Sequence, residues 1–183
     1  MTPRMAYVPE DRGSHGLVQS MPVEDNILLC DTDAYLKDLT RPRVANRDRI
    51  ARAIERLKIR VSSPAQPAHE LSGGNQQKIV LAKWLECHPD IFLLDDPTRG
   101  IDIGTKKEIF QLLHQLASEG CAVLLYSSDQ KELCQACHRV IVLYEGHVVR
   151  SLEGDELTEE NLVNAAFNLA KRPEPSTASR SKS

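Results

Sequence analysis

An α/β fold is predicted by three features of the sequence. Short apolar runs at residues 5–8, 91–94 and 121–126 have strand length and composition. Between the last two runs, Ile109, Leu112, Leu113 and Leu116 recur at helical spacing over residues 105–118. The run at 91–94 ends in Asp95-Asp96, and a strand delivering a carboxylate at its C-terminal end is how α/β proteins hold a Mg²⁺ beside a phosphate.

The composition allows one domain with a sizeable core in 183 residues, and the formal net charge is −3. The charges are scattered, which gives no case for nucleic acid. Arg47, Arg49, Arg52, Arg56 and Lys58 form a basic cluster, but Asp48 and Glu55 interrupt it, as on a solvated helix face. No apolar run reaches the ~20 residues that span a bilayer. The N-terminus, with Pro3, Arg4, Pro9, Glu10 and Asp11, carries no signal-peptide core. These features predict a cytosolic protein whose five cysteines are reduced.

Taken in order, residues 5–8 read as a strand ending at Pro9, followed by a charged loop over 10–16. Pro22 suits the first turn of a short helix over 22–30, and Glu24 and Asp25 suit its positive end. Residues 31–46 carry no periodic pattern. Ile50, Ile54 and Leu57 predict an amphipathic helix over 46–59. Ser and Pro mark residues 62–69 as a connecting loop. Gly120 closes the helix at 105–118, and 121–126 reads as a second buried strand. Residues 139–143 and 147–150 flank Tyr144-Glu-Gly146 as a hairpin. A last helix is expected over 156–167, with Leu157, Leu162, Val163 and Ala166 on one face. The Ser-, Pro- and charge-rich tail 171–183 has the composition of a disordered segment.

The chain is organised around Leu71-Ser-Gly-Gly-Asn-Gln-Gln77. Two glycines place no Cβ between the backbone and an approaching group. The helix expected behind them turns its unpaired first amides and its positive dipole end outward. With the hydroxyl of Ser72 this makes an anion site. A Ser-capped helix after a glycine turn is the plainer account, sufficient for an isolated Ser-Gly-Gly but not for all seven residues upstream of the Asp95-Asp96 strand.

Leu71 to Gln77 resembles the signature of ATP-binding cassette (ABC) ATPases, in the form found in sugar importers. Pro97-Thr-Arg-Gly-Ile-Asp-Ile-Gly104 and Tyr7-Val-Pro-Glu-Asp-Arg12 resemble the same class, in the second of its two fused nucleotide-binding halves. The resemblance covers about residues 5 to 167. It implies a P-loop NTPase-like ABC fold with a helical signature subdomain over about 20–90. It further implies residues 1–170 as part of one nucleotide-binding domain. Leu71, Ser72, Gly73, Gly74, Asn75, Gln76 and Gln77 become the ATP-binding signature, Asp95 the Mg²⁺-holding Walker B aspartate, and Asp102 a contact between halves. The implied cofactors are ATP and Mg²⁺, shared with a partner's P-loop. The implied partners are another ABC half, a membrane permease and, indirectly, a sugar-binding protein, at the inner face of the plasma membrane.

Several positions depart from the family pattern. Glu10 stands where the family has Gln, and a carboxylate beside a triphosphate is repelled unless a metal bridges it. Asp96 stands where the family has the catalytic Glu; it is shorter by one methylene, roughly 1.5 Å of reach. A base must come within about 2.6–3.2 Å of its proton, so Asp96 is a poor substitute. Ser128 stands at the position of the switch histidine and cannot carry its positive charge. Cys134-Gln-Ala-Cys137-His138 has the spacing of c-type haem attachment, but no export signal supports it and zinc lacks a fourth ligand; two small thiols on a helix is the preferred reading.

No G-x-x-x-x-G-K-[ST] occurs in the 183 residues. The expectation is that the chain starts after that loop and lacks its own phosphate cradle. Alternatives to a working importer subunit are a non-catalytic fragment docking on an ABC partner and an inert remnant of an interrupted gene. A sheet without its interior strands exposes edges and apolar faces. The isolated chain is therefore expected to be marginally stable or to aggregate; calorimetry showing cooperative unfolding with a normal melting enthalpy would contradict this.

Overall fold

The computed structural model describes residues 4–30 and 44–167. The unpatterned stretch, through residue 43, and the tail 171–183 lie outside the described residues. The chain divides into two compact units, Met1–Ser128 and Asp129–Ser183.

In the first unit, β1 (Met5–Val8), β2 (Ile91–Asp95) and β3 (Ala122–Tyr126) form a parallel sheet with β2 in the middle. Parallel neighbours need long crossovers, and here helices supply them. Between β1 and β2 lie α1 (Val23–Leu28), α2 (Val44–Arg56) and α3 (Gly73–Leu85); α4 (Ile103–Ser118) joins β2 to β3. Side chains alternate across the sheet. Ala6, Val8, Phe92 and Leu94 point to one face and are at most 3% exposed, packed with the apolar faces of the helices. Tyr7 and Leu124 flank Leu93 on the other face, 48% and 65% exposed. The third strand is therefore half-buried on one face and exposed on the other, contrary to the sequence expectation. Its apolar composition reflects a face that nothing among the described residues covers.

Helix ends follow local chemistry. The 10–16 segment, expected to be an open loop, winds into a tight helical turn, Arg12–Gly16. Asp11 caps it, with Oδ1 accepting from the amides of Gly13 and Ser14 at 2.9 and 3.1 Å. The expected helix over 46–59 stops at Arg56 because Lys58 takes a positive φ of 50° and Ile59 N–H returns to Ile54 C=O. Asn26 is fully buried and stitches residues 18–22 to α1. Its Oδ1 accepts from Val18 N–H, and its Nδ2 donates to the carbonyls of Val18, Met21 and Pro22.

In the second unit, α5 (Gln130–Ala136) precedes an antiparallel hairpin of β4 (Arg139–Tyr144) and β5 (His147–Glu153). Glu145 and Gly146 both adopt positive φ, as a tight two-residue hairpin turn requires. The last helix, α6 (Glu159–Ala166), is shorter than expected. Thr158 Oγ1 caps it by accepting from Asn161 N–H. It buries Leu162 and Ala165, not the face containing Val163 and Ala166. Cys134 and Cys137 pack against Val140, Val142 and Leu152. Burial raises both thiols, which is the condition of a packing residue and not of a metal-binding thiolate.

The two sheet faces give a paired prediction. Phe92→Ala should cost about 3–5 kcal/mol in urea unfolding, whereas Leu124→Thr on the neighbouring strand should stay within roughly 0.5 kcal/mol of the parent.

Candidate functional site

Ser72 is the N-cap of α3, so Gly73 and Gly74 form its first turn instead of a loop ahead of it. The Ser72 hydroxyl accepts from Asn75 Nδ2 at 3.0 Å and only weakly from Asn75 N–H at 3.5 Å. Its own proton remains available to a ligand, and Ser72 is exposed. As in any first turn, the amides of Gly73 and Gly74 have no partner within the helix.

Both glycines make room for a neighbouring side chain, and at Gly74 that neighbour, Thr105, is short and close to its backbone. A Cβ on Gly73 would stand 2.4 Å from Arg12 Nη2, and one on Gly74 would stand 2.9 Å from Thr105 Cγ2. The side chains behind them are committed to structure. Leu71 packs on the core, Asn75 Oδ1 accepts from Arg60 N–H at 2.9 Å, and Gln76 Nε2 donates to the carbonyls of Ala68 and Leu71. Gln77 is 1% exposed, inside the fold. Of the seven expected signature residues, Ser72 is exposed and Gly73 half-buried at the helix head, whereas Gly74 is buried beneath Thr105.

The acidic residues sit at the C-terminal end of the sheet. Asp95 ends β2, and its Oδ2 accepts from Tyr7 OH at 3.0 Å. That hydrogen bond, with burial and the charge of Asp95, raises the Tyr7 phenol above its usual value and keeps it a donor. Asp96 is buried at φ 42°, a backbone conformation that Asp tolerates better than most residues. Its Oδ2 accepts from Ser128 Oγ at 2.6 Å. The residues at the expected acid and switch positions are thus bonded to each other. Among the described residues no cluster of three His, Cys, Asp or Glu could hold a metal alone. A Mg²⁺ bound through one or two carboxylates plus phosphate oxygens and water needs no such cluster, and Asp95 fits that role.

Two further contacts link the site to flanking loops. Asp102 caps α4, accepting from Thr105 N–H at 3.0 Å and Thr105 Oγ1 at 2.8 Å, and Thr105 occupies the seat at Gly74. Glu10 pairs with Arg99, whose carbonyl accepts from Arg12 Nη1 at 3.3 Å. The repulsion expected of Glu10 is offset by Arg99, although both side chains are solvent-accessible and the pair is screened. Arg12 and Arg99 lie within the quoted motifs and Thr105 opens the expected helix, but the sequence assigns none of them a role, because each matters through a contact with a distant residue.

The family profile described as "ABC transporter" matches residues 1–99. Among curated proteins, the chain is 46% identical over 166 residues to "Ribose import ATP-binding protein RbsA 1" of Rhizobium johnstonii, covering 91% of this chain and 32% of that protein. It is 40% identical to "Ribose import ATP-binding protein RbsA" of Halalkalibacterium halodurans, covering 88% and 32%. The chain therefore spans about a third of the length of these relatives. The dimeric bacterial ABC transporter cassette MJ0796 matches at a TM-score of 0.66 and 27% identity, over 82% of this chain and 63% of that one. A post-hydrolysis structure of MJ0796 bound to ADP and Pi matches at a TM-score of 0.68 and 24% identity, with the same coverage.

The Asp102 cap titrates. Hydrogen bonds from Thr105 hold its carboxyl below the ordinary 3.8. A depressed carboxyl stabilises the fold above its unfolded value and loses that contribution as pH falls through its folded one. Asn keeps the capping geometry, so Asp102→Asn isolates the charge. In thermal melts the variant should lie below the parent at neutral pH, and the gap should close as acid protonates Asp102.

Proposed function

The chain belongs to the ABC transporter family, and from that premise we propose that it supplies the signature-bearing side of an ATP sandwich in a carbohydrate importer. The carrying observation is the exposed Ser72 at the head of α3, beside two first-turn amides and held by flanking loops. The exposed Ser72 hydroxyl is a donor at the positive end of the helix, suited to the γ-phosphate of a nucleotide whose other phosphates are cradled elsewhere. No P-loop motif occurs in these residues, and on this reading a second nucleotide-binding half supplies the cradle. The relatives' names support a ribose-type cargo. A membrane permease and a sugar-binding protein complete the assembly, which places the chain at the inner face of the membrane. Among the described residues no helix is long and apolar enough to cross it.

Within the sandwich, Asp95 is the residue of this chain suited to hold Mg²⁺. When bound, that ion supplies positive charge against the phosphate oxygens. Ser72 orients the terminal phosphate by donating its hydroxyl proton, and the helix dipole of α3 adds to it. Asp96 is a weak base here, because its Oδ2 already accepts from Ser128 and its reach is short. Ser128 brings a hydroxyl where a cation would serve better. This closed pair favours a binding role over hydrolysis at this chain's own acid, so turnover in the assembly falls to the partner's site.

Titration calorimetry tests the reading. The chain alone should bind Mg-ATP weakly and turn it over slowly, whereas the chain mixed with a P-loop-bearing half should bind tightly. Tight binding with brisk turnover by the isolated chain would overturn it, and no effect even with the partner would mark the chain as inert.

A further inference from the structure

Arg12 is a charged side chain that the motifs leave without a task. It opens the tight turn whose cap, Asp11, is engaged by the amides of Gly13 and Ser14. Its guanidinium lies on Gly73, where an added Cβ would come 2.4 Å from Nη2 and 3.3 Å from Cζ. Nη1 donates to the Arg99 carbonyl at 3.3 Å, a long contact. Nε is buried and has no hydrogen-bond partner among the described residues. The neighbouring carboxylate of Glu10 is paired with Arg99, and Arg12 forms no ion pair among the described residues.

That placement is unfavourable for the chain by itself. A guanidinium carries five donors in a planar fork suited to carboxylate or phosphate. Here the buried Nε is unused, and the group lies against the first turn of α3, the positive end of a 13-residue helix, where a cation is disfavoured. An anion brought to this end of the helix would relieve both problems at once.

Resting on the sandwich reading above, we propose that Arg12 is a positioning residue of the signature. Seated on Gly73, it sets the shape and positive charge of the surface beside the first turn of α3 that closes on the triphosphate. A side chain at Gly73 would compete for this seat, and Gly73→Ala displaces the guanidinium. Arg12 contributes to the closed, ATP-bound state and not to the stability of the free chain.

The test is association of the full chain with a P-loop-bearing half of a ribose-import relative, measured in Mg-ATP and in Mg-ADP. Melting curves of the chain without nucleotide accompany it. Ser72→Ala reads the sandwich itself and should weaken ATP-dependent association. Arg12→Gln should weaken that association by about tenfold or more, as expected for a lost charge-assisted contact, while leaving the ADP value and the melting temperature unchanged. Arg12→Lys should recover part of the loss, because it restores the charge without the fork. If Ser72→Ala weakens association and Arg12→Gln does not, the role of Arg12 is refuted and the sandwich reading stands. If Arg12→Gln lowers the melting temperature and weakens both nucleotide states alike, Arg12 is merely structural and the proposal fails. If neither substitution matters, the sandwich reading fails and takes the inference with it.

Discussion

The missing Cβ atoms at Gly73 and Gly74 are the constraint on which the site depends. Glycine in a helix costs about 1 kcal/mol relative to alanine, so two in succession are a poor way to begin one. Alanine would be worse here. At Gly74 its methyl would meet Thr105 at 2.9 Å, and overpacking of that kind costs about 1–3 kcal/mol. The two seats admit Arg12 from the turn after β1 and Thr105 from the first turn of α4. The head of α3 is thereby tied to two loops far away in sequence, one carrying Glu10 and the other Asp102. Any account of the Ser72 hydroxyl must begin there, since these contacts fix where the hydroxyl sits.

Much of the architecture was legible because it is written in local patterns. The strand Met5–Val8 announces itself by an apolar run ended by proline, and Ile91–Asp95 by an apolar run ended by two acids. The helix α4 follows from the spacing of Ile109, Leu112, Leu113 and Leu116, all of which are buried. Position 145–146 was readable as a turn for the same local reason. Failures came where tertiary context outweighs local pattern. The run 121–126 looks buried on both faces, yet Leu124 and Tyr126 face outward, because composition alone cannot tell which sheet faces are covered. The turn Arg12–Gly16 looks like a charged loop because the Asp11 cap and the backbone bonds that hold it leave no periodic pattern in the sequence.

The site shows the same division. Ser72, Gly73, Gly74, Asp95, Asp96 and Asp102 stand out by spacing, and the fold brings the strand-borne acids to one end of the sheet. What each side chain touches could not be read. The amide of Gln76 lies in the middle of the motif and is fully occupied by two backbone carbonyls. Gln77, equally prominent in the motif, is turned into the core. A motif identifies residues that belong together, whereas hydrogen bonds decide which of them have donors left for a ligand.

The Asp96–Ser128 pair extends this point to chemistry. Substituting a shorter acid and a neutral hydroxyl could have left two detached, ineffective groups. Instead the hydroxyl closes on the carboxylate at 2.6 Å. A carboxylate accepting such a bond has less lone-pair density to offer a nucleophilic water. The two positions act through one hydrogen bond, so a substitution at either one changes the other's partner.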